Sequence, residues 1–286
     1  MSTPPPPPPP LESPAAIVMK LRHQTGLSMM ECKKALVEAG GDMAKAEDLL
    51  RKKLKGKMDA RTDRAAGAGR VYVALHGPDA GGSAPHAAII EIRAETDFTA
   101  INEHFVAMCN RVADLAAEQP AGEVACTPAM KAEIDEIRIT TGENCSYARG
   151  YKFLGGAGSV FGAYVHHDCK TGTLLHGQGE ISADVLKDIG MHVVAKVPTP
   201  KGVSANDIPA EIIARERAFR IEQAVETGKP KEIAEKIVEG GMRKFFEEIA
   251  LLEQAYIRDE SKKVKDVVGA KATILAFKRW AVGETA

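Results

Sequence analysis

Hydrophobic and polar residues alternate along two stretches of the chain, 71–76 and 86–95, which a Gly- and Pro-rich segment separates. Because successive side chains of a β-strand point to opposite faces of a sheet, this alternation predicts two strands joined by a turn. Short apolar stretches bounded by turn residues predict three more strands in the middle of the chain. These strands are predicted at 146–154, 159–166 and 172–180.

Apolar residues recur at intervals of three and four between these strands, as they do on the buried face of a helix. The segment from Phe105 to Ala116 has this pattern, and helices are also predicted at 128–139 and 182–197. Strands followed by helices, twice along the chain, predict an α+β core of two related halves. We expect a core N-subdomain over 70–144 and the first part of a core C-subdomain over 145–206.

Three short helices are predicted in the N-terminal region, over 14–54. Ser28 and Glu31 have the spacing of a capping box, in which each side chain bonds a backbone amide of the other residue. Residues 14–57 hold ten Lys and Arg residues against five Asp and Glu residues, a local charge of +5 (10 − 5). Either a solvated basic face or a docking surface for an acidic protein explains this charge.

Two segments beside this bundle have the composition of connecting chain. Residues 1–13 contain an uninterrupted proline tract, Pro4–Pro10, which predicts a disordered, extended polyproline II tail. A ligand for an SH3-like domain is the functional alternative for this tail. Residues 55–69 are rich in Gly, Ala and charged residues, and they predict a linker.

Two long helices are predicted over 207–249, separated by Gly228-Lys229-Pro230. So short a connection requires the helices to run antiparallel, so we expect a protruding hairpin. The chain is then expected to return to the core over 250–286, with no further C-terminal module. The predicted elements of this return are a strand at 252–257, a helix at 262–268 and a strand at 272–282.

The whole chain of 286 residues is nearly neutral, because 38 Lys and Arg residues oppose 39 Asp and Glu residues, a net charge of −1 (38 − 39). Nucleic-acid binding requires a cationic surface, so no nucleic-acid partner is expected. No apolar run approaches the ~20 residues of a membrane span, which argues against a membrane protein. Five scattered cysteines and no signal-peptide pattern favour the cytoplasm.

Motifs for catalysis are missing from the sequence, which has no P-loop, no G-x-S-x-G and no H-E-x-x-H, so we expect neither an enzyme nor a bound cofactor. The glycine-rich segment 155–158 predicts a hairpin turn. A metalloenzyme hypothesis rests on four residues, His166, His167, Cys169 and His176. Adjacent histidines on a strand point to opposite faces, which favours ordinary hairpin residues over a metal site.

Asp97 and Phe98 stand out in a polar segment between a predicted strand and a predicted helix, with Thr96 and Thr99 on either side. Two interpretations of the large Phe98 ring remain open. It folds back onto the protein's own core, or it is an exposed anchor that inserts into a partner.

Four ordered blocks resemble the bacterial elongation factor Ts family, the guanine nucleotide exchange factors of elongation factor Tu. They are LRHQTGLSMMECKKALVEAGGDMAKA (21–46), ETDFTA (95–100), DIGMHVVAKVP (188–198) and ETGKPKEIAEKIVEGGMRKFFEEIALLEQAYIRD (226–259). The resemblance implies a UBA-like N-terminal three-helix domain, an α+β core of two subdomains and an inserted antiparallel coiled coil.

The resemblance also implies a partner and its contacts. The N-terminal domain, with Arg22, Met29 and Met30, would dock on the GTPase domain of elongation factor Tu. The Thr96-Asp97-Phe98-Thr99 loop would intrude beside that partner's Mg²⁺ site and dislocate the ion, so that GDP leaves and GTP rebinds. His166 matches a position that faces a more distal domain of the partner. A monomer, a homodimer and a 2:2 complex with the partner all stay open from the sequence. The alternative hypothesis to an exchange factor is a UBA-like adaptor or a ribosome-associated binding protein.

Overall fold

The computed structural model describes residues 14–25, 27–59, 64–77, 85–226, 228 and 231–284. Its mixed helices and antiparallel sheets confirm the α+β class. The predicted proline-rich tail over 1–13 lies outside the described residues. None of the helices described is long and apolar enough to cross a membrane.

Three helices form the N-terminal bundle, α1 (Pro14–Thr25), α2 (Met29–Glu38) and α3 (Met43–Asp59). Ser28 caps α2 as predicted, since its hydroxyl accepts the Glu31 amide at 3.3 Å. The Glu31 carboxylate accepts that same hydroxyl at 2.8 Å, whereas the predicted capping box has it accept the Ser28 backbone amide. Leu21, Cys32 and Ala46, one from each helix, are fully buried in the bundle's own core. Ile139 of the following domain packs against that core.

The predicted linker over 55–69 is wrong at both ends. Helix α3 continues to Asp59, because the lysines of this stretch are good helix formers and Gly56 alone does not end the helix. At the other end strand β1 (Ala68–His76) begins at Ala68, which pairs with Ala94. Pairing with a distant strand overrides the small-residue composition that indicated a linker.

The first sheet has the strand order β1-β2-β4-β3 and is antiparallel throughout. Its other strands are β2 (His86–Ala94), β3 (Gly122–Glu123) and β4 (Cys145–Leu154). Helices α4 (Asp97–Ala100), α5 (Glu103–Ala117) and α6 (Pro128–Thr141) lie between them along the chain. The predicted apolar face of α5 is confirmed, since Phe105, Met108 and Val112 are fully buried in the core below this sheet.

The boundary that we predicted between residues 144 and 145 is wrong, and so is the hairpin turn at 155–158. Strand β4 pairs with β2 and β3, so it belongs to the first sheet, and the chain passes to a second sheet only after Leu154. Gly155 still follows the edge of β2, because its amide donates to the Pro85 carbonyl at 2.7 Å. This pairing is non-local, so the local turn pattern could not reveal it.

The second half begins with β5 (Ser159–Val165), β6 (Thr171–Gly179) and α7 (Ala183–Ala195). Helices α8 (Ala210–Glu226) and α9 (Lys231–Ile249) follow. The return to the core comprises β7 (Ala255–Tyr256), β8 (Asp259–Lys263), α10 (Val264–Val268) and β9 (Ala272–Ala281). The strand predicted at 252–257 therefore shrinks to two residues, because the buried Leu251 lies in a 3₁₀ turn whose amides bond Gly202 and Ala250.

Helices α8 and α9 pack against each other in antiparallel orientation, as predicted. Ala224 near the end of α8 shares a cluster with Val238, whereas Ile213 near its start packs with Phe245 and Phe246 near the end of α9. Of the Gly-Lys-Pro connection, only Gly228 is among the described residues.

The second sheet has the order β5-β6-β9 and faces the first sheet across an apolar layer. Ile89 and Phe153 of the first sheet meet Phe161 and Leu174 of the second sheet there. A buried carboxylate, Glu91, joins the two halves by accepting hydrogen bonds from Arg149 Nε at 2.6 Å and the Gly283 amide at 3.0 Å. This packing brings the tip of the β5–β6 hairpin beside β1 and α4.

Candidate partner-binding site

Phe98 lies in the first turn of the four-residue helix α4, directly between β2 and α5. Its side chain is 84% exposed, and the neighbouring Ile101 is 70% exposed. Of the two interpretations drawn from the sequence, the structure therefore favours the exposed ring over the core residue. Two adjacent exposed apolar side chains on a short turn form a small patch that water solvates poorly.

Thr96 fixes the start of this turn. Its hydroxyl accepts the Thr99 amide at 3.3 Å, which is the N-cap bond of α4. The same hydroxyl donates to Glu143 Oε1 at 2.8 Å, and the Thr96 amide donates to Glu143 Oε2 at 3.2 Å. A further hydrogen bond joins the same two segments, because the Glu95 carboxylate accepts the Asn144 amide at 2.7 Å. Four hydrogen bonds thus hold the backbone on which Phe98 stands.

Asp97 connects the turn to the second sheet. Lys170 Nζ lies 2.9 Å from Asp97 Oδ1 and 3.1 Å from Asp97 Oδ2. Both side chains are largely exposed, so the ion pair contributes at most about 1 kcal/mol to stability. Its effect is therefore chiefly geometric, because it holds α4 against the tip of the β5–β6 hairpin.

The tip of that hairpin is held in turn by β1. Cys169 has a left-handed backbone with φ 58°, and its carbonyl accepts the Val71 amide at 2.9 Å. The Arg70 guanidinium contacts the Cys169 thiol and donates to the Ala100 carbonyl at 3.3 Å. His166, at the start of the tip, is half-buried, with its Nδ1 3.1 Å from the Tyr164 hydroxyl. The structure therefore joins the Thr96–Thr99 turn to the hairpin tip that begins with His166, through Lys170 and Arg70.

Met29 and Met30 lie elsewhere, on an apolar groove of the N-terminal bundle. The groove has a volume of about 670 Å³, and Ile17, Leu36 and Val37 also line it. Met30 is 65% exposed. Methionine side chains adapt to irregular partner surfaces, so such a groove suits a helix or loop of another protein. Arg22 is exposed on α1 and is not among the residues described along this groove.

Comparison with known proteins places this architecture in a family. The family model described as "Elongation factor TS" matches residues 95–284, which is more than half of the chain. The chain belongs to the elongation factor Ts family.

Curated relatives support this membership over nearly the whole chain. It is 37% identical to the elongation factor Ts of Burkholderia thailandensis over 278 residues, covering 94% of this chain and 90% of the relative. The elongation factor Ts of Polynucleobacter asymbioticus is also 37% identical, and that of Cupriavidus metallidurans is 35% identical, with the same coverage. The protein is accordingly a translation elongation factor.

The residues of the metalloenzyme hypothesis are not arranged as ligands. No group of three or more His, Cys, Asp or Glu side chains in the described part of the chain could hold a metal ion. His166 and His167 follow the end of β5, with ring centroids 4.2 Å apart, so they do not alternate across a strand as we expected. His176 pairs with Phe161 well inside β6, where burial lowers its pKa and Ser159 Oγ lies 2.9 Å from its Nε2.

Three residues of the site were not predicted from the sequence, Glu143, Lys170 and Arg70. They lie 47, 73 and 30 residues from the atoms of the turn that they contact. Sequence position carries no signal for such contacts, because they depend on how α6, the β5–β6 hairpin and β1 meet. A family motif at 95–100 indicates the turn but not what supports it.

Proposed function

We propose that the chain binds elongation factor Tu in its GDP-bound form and promotes the release of GDP, after which GTP rebinds. The observation that carries the proposal is an exposed Phe98, at 84%, on a turn that Glu143, Lys170 and Arg70 hold in place. Such an aromatic anchor is already ordered before binding, so little conformational entropy is lost when a partner buries it. The exchange requires no covalent chemistry, so the protein is not an enzyme in that sense.

The mechanism is a wedge. Burial of one Phe side chain in the partner contributes about 1.5–3 kcal/mol. Asp97 would hold the backbone of the turn through its contact with Lys170. In the partner, Mg²⁺ bridges nucleotide phosphate oxygens and protein ligands. A ring inserted beside that site would displace the ligands of the ion. Without Mg²⁺ the phosphate charge is uncompensated, so GDP dissociates faster.

Binding of the factor and of the nucleotide must oppose each other. If the factor weakens nucleotide binding, incoming nucleotide weakens binding of the factor by an equal free energy. A coupling of about 3–5 kcal/mol corresponds to a change in affinity of roughly 10²- to 10⁴-fold. The factor is thereby released and acts again.

Further contacts follow the architecture. The N-terminal bundle is proposed to be UBA-like and to dock on the GTPase domain of elongation factor Tu through Met29, Met30 and Arg22. His166, at the hairpin tip that Lys170 joins to the Phe98 turn, is proposed to face a more distal domain. The α8–α9 hairpin is proposed to be an antiparallel coiled coil, and a groove beside Ala224 and Val238 offers a surface for pairing two copies. The protein is proposed to work in the cytoplasm.

Stopped-flow release of a fluorescent GDP from elongation factor Tu tests the wedge. Phe98→Ala is expected to slow factor-stimulated release by about tenfold or more, which corresponds to about 1.4 kcal/mol of lost transition-state stabilisation. Phe219→Ala is the matched control, because Phe219 is also exposed but lies on α8. An unchanged rate for Phe98→Ala would show that the ring is not the wedge.

The apolar groove of the bundle also favours a second candidate, an adaptor that binds ubiquitin-like or ribosome-associated proteins. Pull-down with the full chain separates the two functions. Capture of elongation factor Tu that falls when GDP and Mg²⁺ are added together supports exchange. Capture of ribosome–nascent-chain complexes without elongation factor Tu supports the adaptor.

A further inference from the structure

Strand β9 is one of the two outer strands of the second sheet, and a cleft of about 470 Å³ lies along its outer edge. One wall of the cleft is β9 itself, from Leu275 to Trp280. The other wall is the segment 199–203, which leads from α7 towards the α8–α9 hairpin. The outer edge of an unpaired strand carries a row of N–H and C=O groups that can accept another strand.

The facing segment does not use these groups. Its backbone is hydrogen-bonded to the end of α9 instead, since the Lys201 amide donates to the Ile249 carbonyl at 2.8 Å. The carbonyls of Gly202 and Val203 accept the amides of Leu251 and Leu252 at 2.9 and 3.0 Å. Among the residues that the structure describes, β9 pairs with β6 alone. The cleft therefore separates two backbones whose own hydrogen bonds point away from it.

The cleft is positively charged within a chain that is negative overall. Its ionisable lining comprises Arg149, Lys201, Lys278 and Arg279 against Asp207 and Glu284, a surplus of +2 (4 − 2). Both acids are engaged locally. Asp207 Oδ2 accepts the Ser204 amide at 2.8 Å, and Glu284 pairs with Arg279. Arg149 is paired in turn with the buried Glu91, at 2.6 Å. Lys201 and Lys278 are therefore the lining cations that an anionic ligand can meet.

Aromatic rings hold part of that charge in place. The Arg149 guanidinium lies 4.8 Å from the centroid of Trp280, and Lys278 Nζ lies 4.1 Å from the centroid of Tyr151. Contacts of this kind restrict long cationic side chains. A ligand that meets the cations therefore finds them partly ordered.

We propose that this cleft binds an extended acidic peptide segment of a partner protein, which adds to β9 as a further strand. The exposed strand edge supplies main-chain hydrogen bonds, and the cations recognise carboxylates on alternate residues of the peptide. The edge from Leu275 to Trp280 accommodates about six extended residues, since each spans about 3.3 Å. A peptide matches alternating N–H and C=O groups, whereas a nucleic acid offers no such ladder.

Tryptophan fluorescence can detect binding at this site, because Trp280 lines the cleft and is the only tryptophan in the sequence. The probe is a blocked peptide of about six residues with alternating Glu and Val, titrated into the full chain at about 0.05 M salt. Saturable change of tryptophan emission, together with heat of binding in calorimetry, is expected. The matched Lys–Val peptide is expected to give neither signal.

Charge-reversal variants locate the binding. Lys201→Glu and Lys278→Glu are each expected to weaken the acidic peptide by about fivefold or more, because each removes one attraction and adds one repulsion. Lys187→Glu, on the exposed face of α7, is the control and is expected to leave the affinity unchanged. Thermal unfolding of each variant establishes that it is folded.

Three results would overturn the proposal. The first is that the acidic peptide causes neither a change in tryptophan emission nor heat of binding. The second is that a peptide N-methylated at alternate residues binds as well as the parent peptide, which would make the cleft an anion site without strand addition. Tighter binding of a single-stranded oligouridylate would make it a nucleic-acid site. Nucleotide exchange does not enter this experiment, so its outcome is independent of the proposed function.

Discussion

Lys170 Nζ lies 2.9 Å from Asp97 Oδ1, and this contact joins residues 73 apart in the sequence. It connects the turn that carries the exposed Phe98 to the hairpin tip that carries His166. Two segments that the family resemblance relates to different domains of a partner are therefore mechanically linked in this protein.

Removal of the link should affect exchange more than stability. Lys170→Met is expected to slow factor-stimulated GDP release by about twofold to fivefold, while the free energy of unfolding changes by less than about 1 kcal/mol, because the pair is solvent-exposed. Stopped-flow release and urea unfolding measure the two effects. Lys271→Met is the matched control. Lys271 Nζ forms an exposed ion pair with Glu180 Oε2 at a distance of 3.1 Å, and this pair lies away from the Phe98 turn. Equal effects of both variants on release would contradict the link.

Glu143 should be required for the orientation of the turn. Glu143→Ala leaves the Thr96 amide and hydroxyl without their acceptor, so a loss of about 1–2 kcal/mol in unfolding free energy is expected. Release of GDP should slow as well, because Phe98 loses its fixed position. Glu136→Ala, at an exposed position of helix α6, which ends two residues before Glu143, is the control for both measurements. A Glu143→Ala variant with normal exchange would show that the turn orders itself without it.

Two neighbouring glycines should respond differently to a methyl group. A Cβ at Gly155 would lie 2.7 Å from Ser159 Cβ and 2.8 Å from the Pro85 carbonyl oxygen, whereas a Cβ at Gly156 meets nothing within 4 Å. Gly155→Ala is therefore expected to destabilise the fold by about 1–3 kcal/mol through overpacking. Gly156→Ala should change stability by less than about 0.5 kcal/mol. Thermal or urea unfolding compares the two, and equal stability would refute the close approach of Gly155 to Pro85.

The buried His192 should make stability depend on pH. Burial chiefly lowers its pKa, and both ring nitrogens are occupied: Nδ1 accepts the Ile257 amide at 3.1 Å, and Nε2 lies 3.0 Å from Gln254 Oε1. Protonation would break the bond from Ile257. Because the folded pKa lies below the unfolded value of about 6.5, the stabilisation is present above that pH and is lost as the pH falls towards the folded pKa.

Urea unfolding between pH 7.5 and 5 measures this dependence. One proton contributes a slope of at most about 1.4 kcal/mol per pH unit. His192→Gln should be less stable than the parent at pH 7.5, with a flatter profile towards acid. His176, whose pKa burial also lowers, contributes in the same direction and leaves a residual slope in that variant. A profile as steep as the parent's would assign the pH dependence to other groups.

Much of the local structure could be predicted from the sequence. The alternation at 71–76 and 86–95 correctly predicted β1 and β2, and the spacing of three and four from Phe105 correctly predicted α5. Ser28 caps α2 as its spacing to Glu31 indicated. These predictions succeeded because a buried face imposes the period of its own helix or strand on nearby residues. The same reasoning failed at the C-terminal end of the predicted linker over 55–69, where Ala68 pairs with the distant Ala94.

The sequence by itself determined the class of fold, the element pattern and the family, because these follow from local periodicity and from ordered motifs. Tertiary structure alone decided that β4 belongs to the first sheet, that Glu143 and Lys170 support the Phe98 turn, and that β9 leaves a basic cleft along its edge. The physical reason is that strand pairing and side-chain contacts join residues far apart in the chain. Their geometry exists only once both sheets have packed on Phe153 and Phe161.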